Sequence, residues 1–377
     1  MRILLAVLLA LHGLIHLLGF VKAFGLAPVA QLQQPVPRPL GVLWLVAALA
    51  FVAAAALLFV APRWWWLAAV PAVLLSQVLI LTAWGDARFG TIANVLLAVP
   101  LALALVELAP SSLPSTYQRE VQRAMRRPTT AAVVRDEELG TFPPAVQTWL
   151  RRAGVVGRPR VRDVRARFTG TFKAAPDGKW MRFRSEQHDF FDRPARFFLM
   201  EAAQAGVPLA GLHVYRGPSA TMRIRVAGLF DVVDARGPEM DQGETVTLFN
   251  DLCVLAPGAL VGAPVRWREI DARTVEAAYT NAGHTIRATL HFDANGDLAD
   301  FVSHDRFLSA DGKTYRRLPW STPVRDFRDF GGGRLPAHGD AVWRAPEGDF
   351  VYGRFDLQSV EYNVVTPDCG CGAEEAR

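Results

Sequence analysis

Four long apolar runs in the first 110 residues constrain the fold of this chain more than any other feature. Crossing the hydrocarbon core of a bilayer takes about 20 helical residues, and each run reaches that length. The runs are Ile3 to Phe24, Leu40 to Ala61, Trp64 to Trp84 and Phe89 to Leu108. Tryptophans lie near several of their ends, where indole rings favour the headgroup layer. The sequence therefore predicts four transmembrane helices rather than the buried helices of a soluble protein.

Basic residues near these runs predict the orientation of the chain, since cytoplasmic loops carry an excess of Lys and Arg. With the N-terminus inside, the inner residues are Arg2, Arg63, Arg119, Arg123, Arg126 and Arg127, and the outer ones are Lys22, Arg38 and Arg88. This count favours a multi-pass protein of the inner (plasma) membrane with a cytoplasmic soluble domain. The extracytoplasmic side stays an alternative, because long domains cross membranes regardless of their charge. A cleaved signal peptide is an alternative for the first run, although its cleavage signal is poor.

Two histidines, His12 and His16, are the most unusual residues within the apolar runs. Their i, i+4 spacing puts both imidazoles on one face of a helix, and polar groups at that depth are often functional. One interpretation is a haem or metal site, for which the sequence offers few further ligands. The other is hydrogen bonding between helices, with Gln77 or Asn94 as the partner. The second interpretation is favoured, and the sequence predicts neither a bound metal nor a cofactor.

The chain changes character after the last apolar run. Four parts are predicted: residues 1–110 with the spans, residues 111–141 as a basic linker, residues 142–364 as a β-rich soluble domain, and residues 365–377 as a flexible tail. In the linker, Tyr117 to Arg127 is predicted as a short surface helix. At the start of the domain, Pro143-Pro144 begins an amphipathic helix that continues to Arg152, since proline suits a first helical turn. In the tail, Cys369 and Cys371 could alternatively hold a metal or close a strained disulfide.

Period-two alternation of apolar and polar residues dominates the soluble domain and is typical of β-strands. Ala166, Phe168, Gly170 and Phe172 share one face of the first strand, and the strand from Met181 to Glu186 alternates in the same way. Further strands are predicted at Arg196 to Glu201, Leu212 to Arg216, Thr221 to Val226, Phe230 to Asp234, Val265 to Asp271, Thr274 to Thr280, His284 to Phe292, Ala299 to Phe307, Trp343 to Ala345 and Phe350 to Tyr362. One helix, Glu244 to Leu255, interrupts them. Many strands and few helices predict an α+β domain, in which a curved antiparallel sheet, a half-barrel, packs on one or two helices.

Several segments resemble an uncharacterised family of bacterial membrane proteins that is named only as a domain of unknown function. They are Phe142 to Gly154, Gly228 to Asp234, Glu244 to Asp251, Leu318 to Pro323 and Trp343 to Tyr362. The resemblance covers most of the chain and implies no activity. The soluble part also resembles the half-barrel fold of periplasmic lipoprotein carriers, which hold acyl chains. This second resemblance implies a fold, and it implies a site for an apolar ligand only if the function follows the fold.

Common catalytic and cofactor motifs are missing from the sequence. The segment Asp293 to Asp297 imitates the start of a calcium loop, but Leu298 and His304 stand where such a loop needs glycine and glutamate. It is therefore interpreted as a hairpin turn. The net charge of +5 comes mainly from arginines that are scattered among acidic residues, so no nucleic-acid partner is predicted.

The favoured functional hypothesis is a non-enzymatic, membrane-anchored domain whose half-barrel binds a lipid or another apolar ligand. Alternating aromatic residues on strands next to a bilayer motivate it, although a closed core would explain the same residues. The candidates for the cavity wall are Phe168, Phe172, Phe183, Met222, Trp267 and Phe301.

Two other hypotheses stay open. One is an envelope-associated hydrolase or metal-dependent enzyme, whose candidate catalytic residues are Glu244, Asp251, His304 and Asp305, with His188, Asp189, Asn250, Asp300 and Arg306 as further polar candidates. Such a site would require several of these side chains to converge, which spacing alone does not establish. The other is a structural role in which the spans bind a partner membrane protein.

Overall fold

The structure is a computed structural model that describes residues 2–125 and 131–364. It divides into two compact units, Met1–Ala109 and Pro110–Arg377, which are described separately below. The predicted tail, with Cys369 and Cys371, lies outside the described residues, as do Arg126 and Arg127.

The first unit is entirely helical. Its helices are α1 (Arg2–Ala23), α2 (Arg38–Val60), α3 (Trp65–Thr82), α4 (Trp84–Ala87) and α5 (Gly90–Leu108). All except α4 are long and apolar enough to cross a membrane, which agrees with the four apolar runs of the sequence. Large apolar side chains such as Leu4, Leu49 and Leu74 are exposed on these helices, as expected of surfaces that face lipid.

Small residues allow α1 and α2 to approach closely. A Cβ atom added to Gly19 would lie 2.2 Å from the ring of Trp44, and one added to Gly13 would lie 2.9 Å from Cβ of Phe51. Such close packing brings many atoms of the two helices into van der Waals contact. Glycines at these two positions therefore set the distance between α1 and α2.

The second unit is built on one antiparallel sheet of 14 strands. Its strands are β1 (Asp163–Phe172), β2 (Met181–Phe190), β3 (Ala195–Gln204), β4 (Val207–Arg216), β5 (Ser219–Val226), β6 (Phe230–Arg236), β7 (Val265–Asp271), β8 (Thr274–Asn281), β9 (His284–Phe292), β10 (Leu298–Leu308), β11 (Arg316–Ser321), β12 (Val324–Asp329), β13 (Arg334–Ala345) and β14 (Gly348–Tyr362). The order across the sheet is β6-β5-β4-β3-β2-β1-β14-β13-β11-β10-β9-β8-β7, and β12 pairs with β13 beside this path. Pairing of β1 with β14 joins the two halves of the sheet.

Three helices pack on this sheet: α6 (Leu113–Ala124), α7 (Pro144–Arg152) and α8 (Pro238–Val254). Helix α8 contacts β5 and β6 near one edge of the sheet and also β9 and β10 near the other. One helix reaches both regions only if the sheet curls around it. The unit is therefore an α+β half-barrel with α8 inside the curve, as the sequence predicts.

Helix α6 differs from the predicted surface helix over Tyr117 to Arg127. It begins at Leu113, and its buried side chains Leu113, Tyr117 and Val121 pack against Phe197 on the outer face of the sheet. The composition of the segment is basic, but apolar residues at i, i+4 and i+8 lie on one helical face. The helix is thus partly buried rather than a solvated connection.

Several strands extend beyond or add to the predicted set. The sequence interpretation omitted β11, β12 and the first part of β13, where Pro336 and Gly339 interrupt the alternation. Proline is tolerated in strands mainly at edges and irregular positions, and here Pro336 pairs only with Phe327 of the short strand β12. Local pattern alone therefore underestimates the sheet.

The turn between β9 and β10 is a structural element rather than a cation loop. Asp293 Oδ1 accepts hydrogen bonds from the backbone N–H of Asn295 (2.8 Å) and Asp297 (2.9 Å). The carboxylate of Asp297 in turn accepts two hydrogen bonds from Arg152 of α7, at 2.8 and 2.9 Å, and is paired with Arg334. These contacts fix α7 to the β9–β10 hairpin.

Candidate ligand cavity

A cavity of about 370 Å³ lies between α8 and the inner face of the sheet. Most of its wall is apolar or aromatic. Wall residues include Phe168, Phe172, Phe198, Met200, Met222, Ile224, Phe307, Trp320, Trp343, Phe350, Tyr352, Phe355 and Leu357. They come from both halves of the sheet, so the curl of the sheet creates the cavity.

Helix α8 supplies much of the polar lining, and Arg196 and Arg306 of the sheet add to it. Positions 240, 243, 244, 247, 250, 251 and 254 face the cavity, which is the spacing of one helical face. On the opposite face, Val246, Phe249 and Leu252 belong to the main core, where the Phe249 ring stacks on Tyr279 with centroids 5.1 Å apart. The helix is therefore buried on both faces, one against a core and one against the cavity.

Arg196 of β3 is the centre of a buried ionic cluster on this polar face. Its Nη1 donates to Glu244 Oε2 at 3.0 Å and its Nε donates to Asp251 Oδ2 at 2.6 Å. Its Nη2 donates to Gln187 Oε1 at 3.2 Å. His213 Nδ1 donates to the second oxygen of Glu244 at 3.2 Å. We call Arg196, Gln187, Asp189, Glu244 and Asp251 the Arg196 cluster.

Burial and neighbouring charges shift the pKa values in this cluster in opposite directions. Burial raises the pKa of Glu244, but His213 and Arg196 outweigh it and hold the pKa of Glu244 well below its ordinary value. Burial raises the pKa of Asp189 well above its ordinary value, and the charge of Asp251 raises it further. Burial also raises the pKa of Asp251, although Arg196 opposes the shift. The cluster therefore keeps Glu244 ionised and favours the protonated form of Asp189.

Asp189 is connected to Asp251 through the side-chain amide of Gln187. Gln187 Nε2 donates to Asp189 Oδ2 at 2.6 Å and to Asp251 Oδ2 at 2.7 Å. The other oxygen of Asp189 is buried and accepts no hydrogen bond within the described residues. A protonated carboxyl at Asp189 removes the cost of an unpaired buried charge, which agrees with the direction of its pKa.

Arg306 of β10 enters the cavity beside this cluster. Its guanidinium lies over the ring of Trp320, with Cζ 4.1 Å from the centroid. Its Nη1 donates to the hydroxyl of Tyr352 at 3.2 Å, and Trp320 Nε1 donates to the same hydroxyl at 3.0 Å. The nearest oxygen of Glu244 is 3.8 Å from Nη2 of Arg306, which is too long for a hydrogen bond.

The six wall candidates from the sequence lie in different places. Phe168, Phe172 and Met222 line the cavity. Phe183 packs on Phe355 behind the lining, with ring centroids 5.0 Å apart. Trp267 packs near Phe142 and Phe249, and Phe301 packs between Phe249 and Trp320, so both belong to the core on the other side of α8. A period-two pattern identifies the face of a strand but not what the face is packed against.

The catalytic candidates also separate. Glu244 and Asp251 come together on Arg196, whereas His304 is exposed and Asp305 is paired with Arg317. Of the remaining polar candidates, Asp189 joins the Arg196 cluster, and Arg306 and Asn250 line the cavity. His188 is paired with Asp163 on the other face of the sheet. Asp300 accepts hydrogen bonds from Ser321.

Sequence reasoning did not single out Arg196, Gln187, Trp320 or Tyr352 as site residues. The sequence contains a signal for Arg196. Both faces of β3 carry large apolar residues, Phe197 and Leu199 on one and Phe198 and Met200 on the other, so the strand is covered on both sides. A charged residue in such a strand must be paired.

In the helical unit, His12 and His16 take part in contacts within the bundle. His12 Nε2 donates to Asn94 Oδ1 at 3.0 Å, and Asn94 Nδ2 donates to Gln77 Oε1 at 3.0 Å. His16 Nδ1 donates to the carbonyl oxygen of His12 at 2.9 Å. Across residues 2–125 and 131–364, no three His, Cys, Asp or Glu side chains are grouped to hold a metal ion.

Comparisons with known proteins concern mainly the second unit. Residues 132–355, more than half of the chain, match the model of a family of unknown function, DUF6544. A search of curated proteins found no significant match.

Similar solved structures include a LolA superfamily protein from Nitrosomonas europaea, with 12% identity, 59% of this chain and 95% of that chain covered, and a TM-score of 0.34. A putative outer membrane lipoprotein-sorting protein domain from Vibrio parahaemolyticus has 10% identity, coverage of 59% and 94%, and a TM-score of 0.34. A DUF1329 family protein from Desulfovibrio piger has 12% identity, coverage of 60% and 96%, and a TM-score of 0.35. These scores are too low to support an inference about this chain.

The Arg196 cluster predicts a large loss of stability when its cation is removed. Arg196→Met should lower the free energy of unfolding of the second unit by about 3–5 kcal/mol, because it leaves Glu244 and Asp251 buried without their cation. The matched control is Arg184→Met, whose side chain is 76% exposed and paired with Glu201; it should cost less than about 1 kcal/mol. Denaturant unfolding of the full-length protein followed by tryptophan fluorescence measures both. If Arg196→Met lowered the free energy of unfolding as little as Arg184→Met does, the role of Arg196 as the buried counterion of Glu244 and Asp251 would be contradicted.

Asp189 predicts an unusual dependence of stability on pH. Because its pKa is higher in the folded than in the unfolded chain, the folded state retains a proton that the unfolded state has lost. The free energy of unfolding should therefore fall as pH rises from the ordinary pKa of 3.8 through the raised one, with a slope of at most about 1.4 kcal/mol per pH unit. Asp189→Asn should flatten the part of this fall that lies above the range in which ordinary carboxyls titrate. Asp192→Asn, in the exposed β2–β3 turn, is the control; a slope that Asp189→Asn leaves unchanged would refute the prediction.

Proposed function

The chain belongs to the family of unknown function DUF6544, and we propose that it is a membrane-anchored protein that binds an apolar ligand in its half-barrel. The observation that carries this proposal is the cavity of about 370 Å³, lined mainly by apolar and aromatic side chains. Small-molecule sites are usually cavities of about this size or larger, lined by apolar groups with a few polar ones. A half-barrel that served only as a scaffold would gain stability by filling this space.

The helical unit supports the anchoring part of the proposal. Its four apolar helices expose large side chains, including Leu4 and Leu74, at 72% and 64% of their surface. Such surfaces are unfavourable in water and favourable in lipid. We place the chain in the inner (plasma) membrane, with the half-barrel cytoplasmic by the count of basic residues or extracytoplasmic as the alternative.

The alternative of an enzyme receives less support from the geometry. Of its four candidate residues, only Glu244 and Asp251 line the cavity, and Arg196 already donates to both. His304 and Asp305 lie outside the cavity lining, so the four candidate residues do not converge there. A partner membrane protein for the spans stays a prediction from the sequence.

Ligand binding predicts that a bulky wall residue should displace the ligand. Native mass spectrometry of the full-length protein, extracted from membranes in mild detergent, should detect a co-purifying apolar molecule. Met222→Trp fills part of the cavity and should reduce the bound fraction severalfold, whereas Val232→Trp should leave it unchanged because Val232 is 55% exposed on β6. A wild-type protein that is free of ligand and resists loading with added lipid would overturn the proposal.

Anchoring predicts the behaviour of the chain in cell fractions. The full-length protein should sediment with membranes and require detergent for release. Protease added to intact spheroplasts should cleave the half-barrel only if it is extracytoplasmic, and cleavage only after lysis would place it in the cytoplasm. Recovery of the full-length protein in the supernatant without detergent would disprove the anchor.

A further inference from the structure

We infer that the cavity takes an amphiphile whose polar head presents an oxygen acceptor, a carboxylate or an ester carbonyl, to Arg306 and Tyr352. This inference rests on the proposed function and deepens it by naming the chemistry of the ligand. Its basis is a pair of hydrogen-bond donors that line the cavity and have no acceptor among the described residues.

The guanidinium of Arg306 is held in place, but most of its N–H groups donate no hydrogen bond within the described residues. Stacking on Trp320 at 4.1 Å fixes its guanidinium plane, and Trp343 lies at 5.7 Å. Of its five N–H groups, only one on Nη1 donates a hydrogen bond within the described residues, to Tyr352. Its side chain is 13% exposed and lines the cavity, so the remaining N–H groups are available to a ligand there. An oxygen atom of a ligand would accept hydrogen bonds from them.

The hydroxyl proton of Tyr352 is the second donor of the pair. Its hydroxyl oxygen accepts from Arg306 at 3.2 Å and from Trp320 at 3.0 Å. These two hydrogen bonds occupy the lone pairs of the oxygen. The hydroxyl proton has no acceptor in the part of the chain that the structure describes, and Tyr352 lines the cavity. An oxygen atom of a ligand would accept from Tyr352 and Arg306 together.

The surroundings of Arg306 favour an oxygen acceptor as the head group. Glu244 and Asp251 each already accept a hydrogen bond from Arg196, at 3.0 and 2.6 Å. Within the described residues, Arg306 donates a hydrogen bond to no carboxylate, and an oxygen of Glu244 lies 3.8 Å from its Nη2. Arginine next to an aromatic ring is suited to planar oxygen acceptors such as carboxylates.

The apolar wall supplies the rest of the site. Phe168, Met222 and Phe355 line the same cavity, so a ligand whose head reaches Arg306 has apolar surface for a hydrocarbon chain. Burying that chain in the cavity provides affinity, while the two donors select the head. The source is either a free fatty acid or an esterified lipid.

The test compares three probes on the full-length protein held in amphipol: dodecanoate, methyl dodecanoate and the fluorescent hydrocarbon pyrene. Arg306→Met should weaken dodecanoate binding by about ten-fold or more, since hydrogen bonds to charged groups are the stronger kind. Tyr352→Phe should weaken dodecanoate and methyl dodecanoate severalfold. Neither variant should change pyrene binding. Arg317→Met is the control, because Arg317 is exposed and paired with Asp305 outside the cavity.

The outcomes separate the two levels of the proposal. Stronger binding of dodecanoate than of its ester, lost in Arg306→Met, supports an anionic head, and equal binding that Tyr352→Phe weakens supports an ester. Pyrene binding with no effect of either variant on the other probes overturns the head-group inference but leaves the proposed function intact. Failure of all three probes to bind overturns the proposed function. Tyr352→Phe retains the ring against Trp343, so it remains informative if Arg306→Met does not fold.

Discussion

The buried guanidinium of Arg196 is the interaction on which the rest of the half-barrel depends. It joins β3 to α8 through Glu244 and Asp251, residues that lie 48 and 55 positions away in the chain. A buried ion pair is a weak source of net stability, but it strongly penalises arrangements that leave a charge unpaired. Its effect is to fix where α8 sits within the curved sheet, and the position of α8 sets the space that remains between helix and wall.

Because this space remains, the two faces of α8 have different surroundings. One face, with Val246 and Phe249, packs in the core, and the other, with Glu244, Thr247 and Asp251, faces the cavity. A helix with polar groups on a buried face needs a partner for each of them, and the Arg196 cluster provides most of these partners. The sheet side of the cavity is then largely apolar, and its charged residues Arg196 and Arg306 lie next to the polar face of α8. An amphiphile matches such a surface.

The two units pose different problems of solvation. In the helical unit, Gly19 allows close packing against Trp44, and the buried His12 is hydrogen-bonded to Asn94. In the half-barrel, buried charges are compensated by one another, as at Arg196 and at Asp297. Polar side chains inside each unit are thus placed where a partner is available. Their presence alone does not mark a catalytic or metal site.

The sequence by itself determined the four apolar helices and most strands of an antiparallel sheet, because hydropathy and period-two alternation are local properties of the chain. It missed β11 and β12, and it placed Trp267 and Phe301 in a cavity wall when they belong to the core. Only the tertiary structure decided which side chains face the cavity. Alternation assigns a residue to a face, whereas the neighbour of that face depends on the curl of the sheet and on contacts between residues far apart in the chain. The meeting of Arg196 with α8, and of Arg306 with Tyr352, has no local signature for that reason.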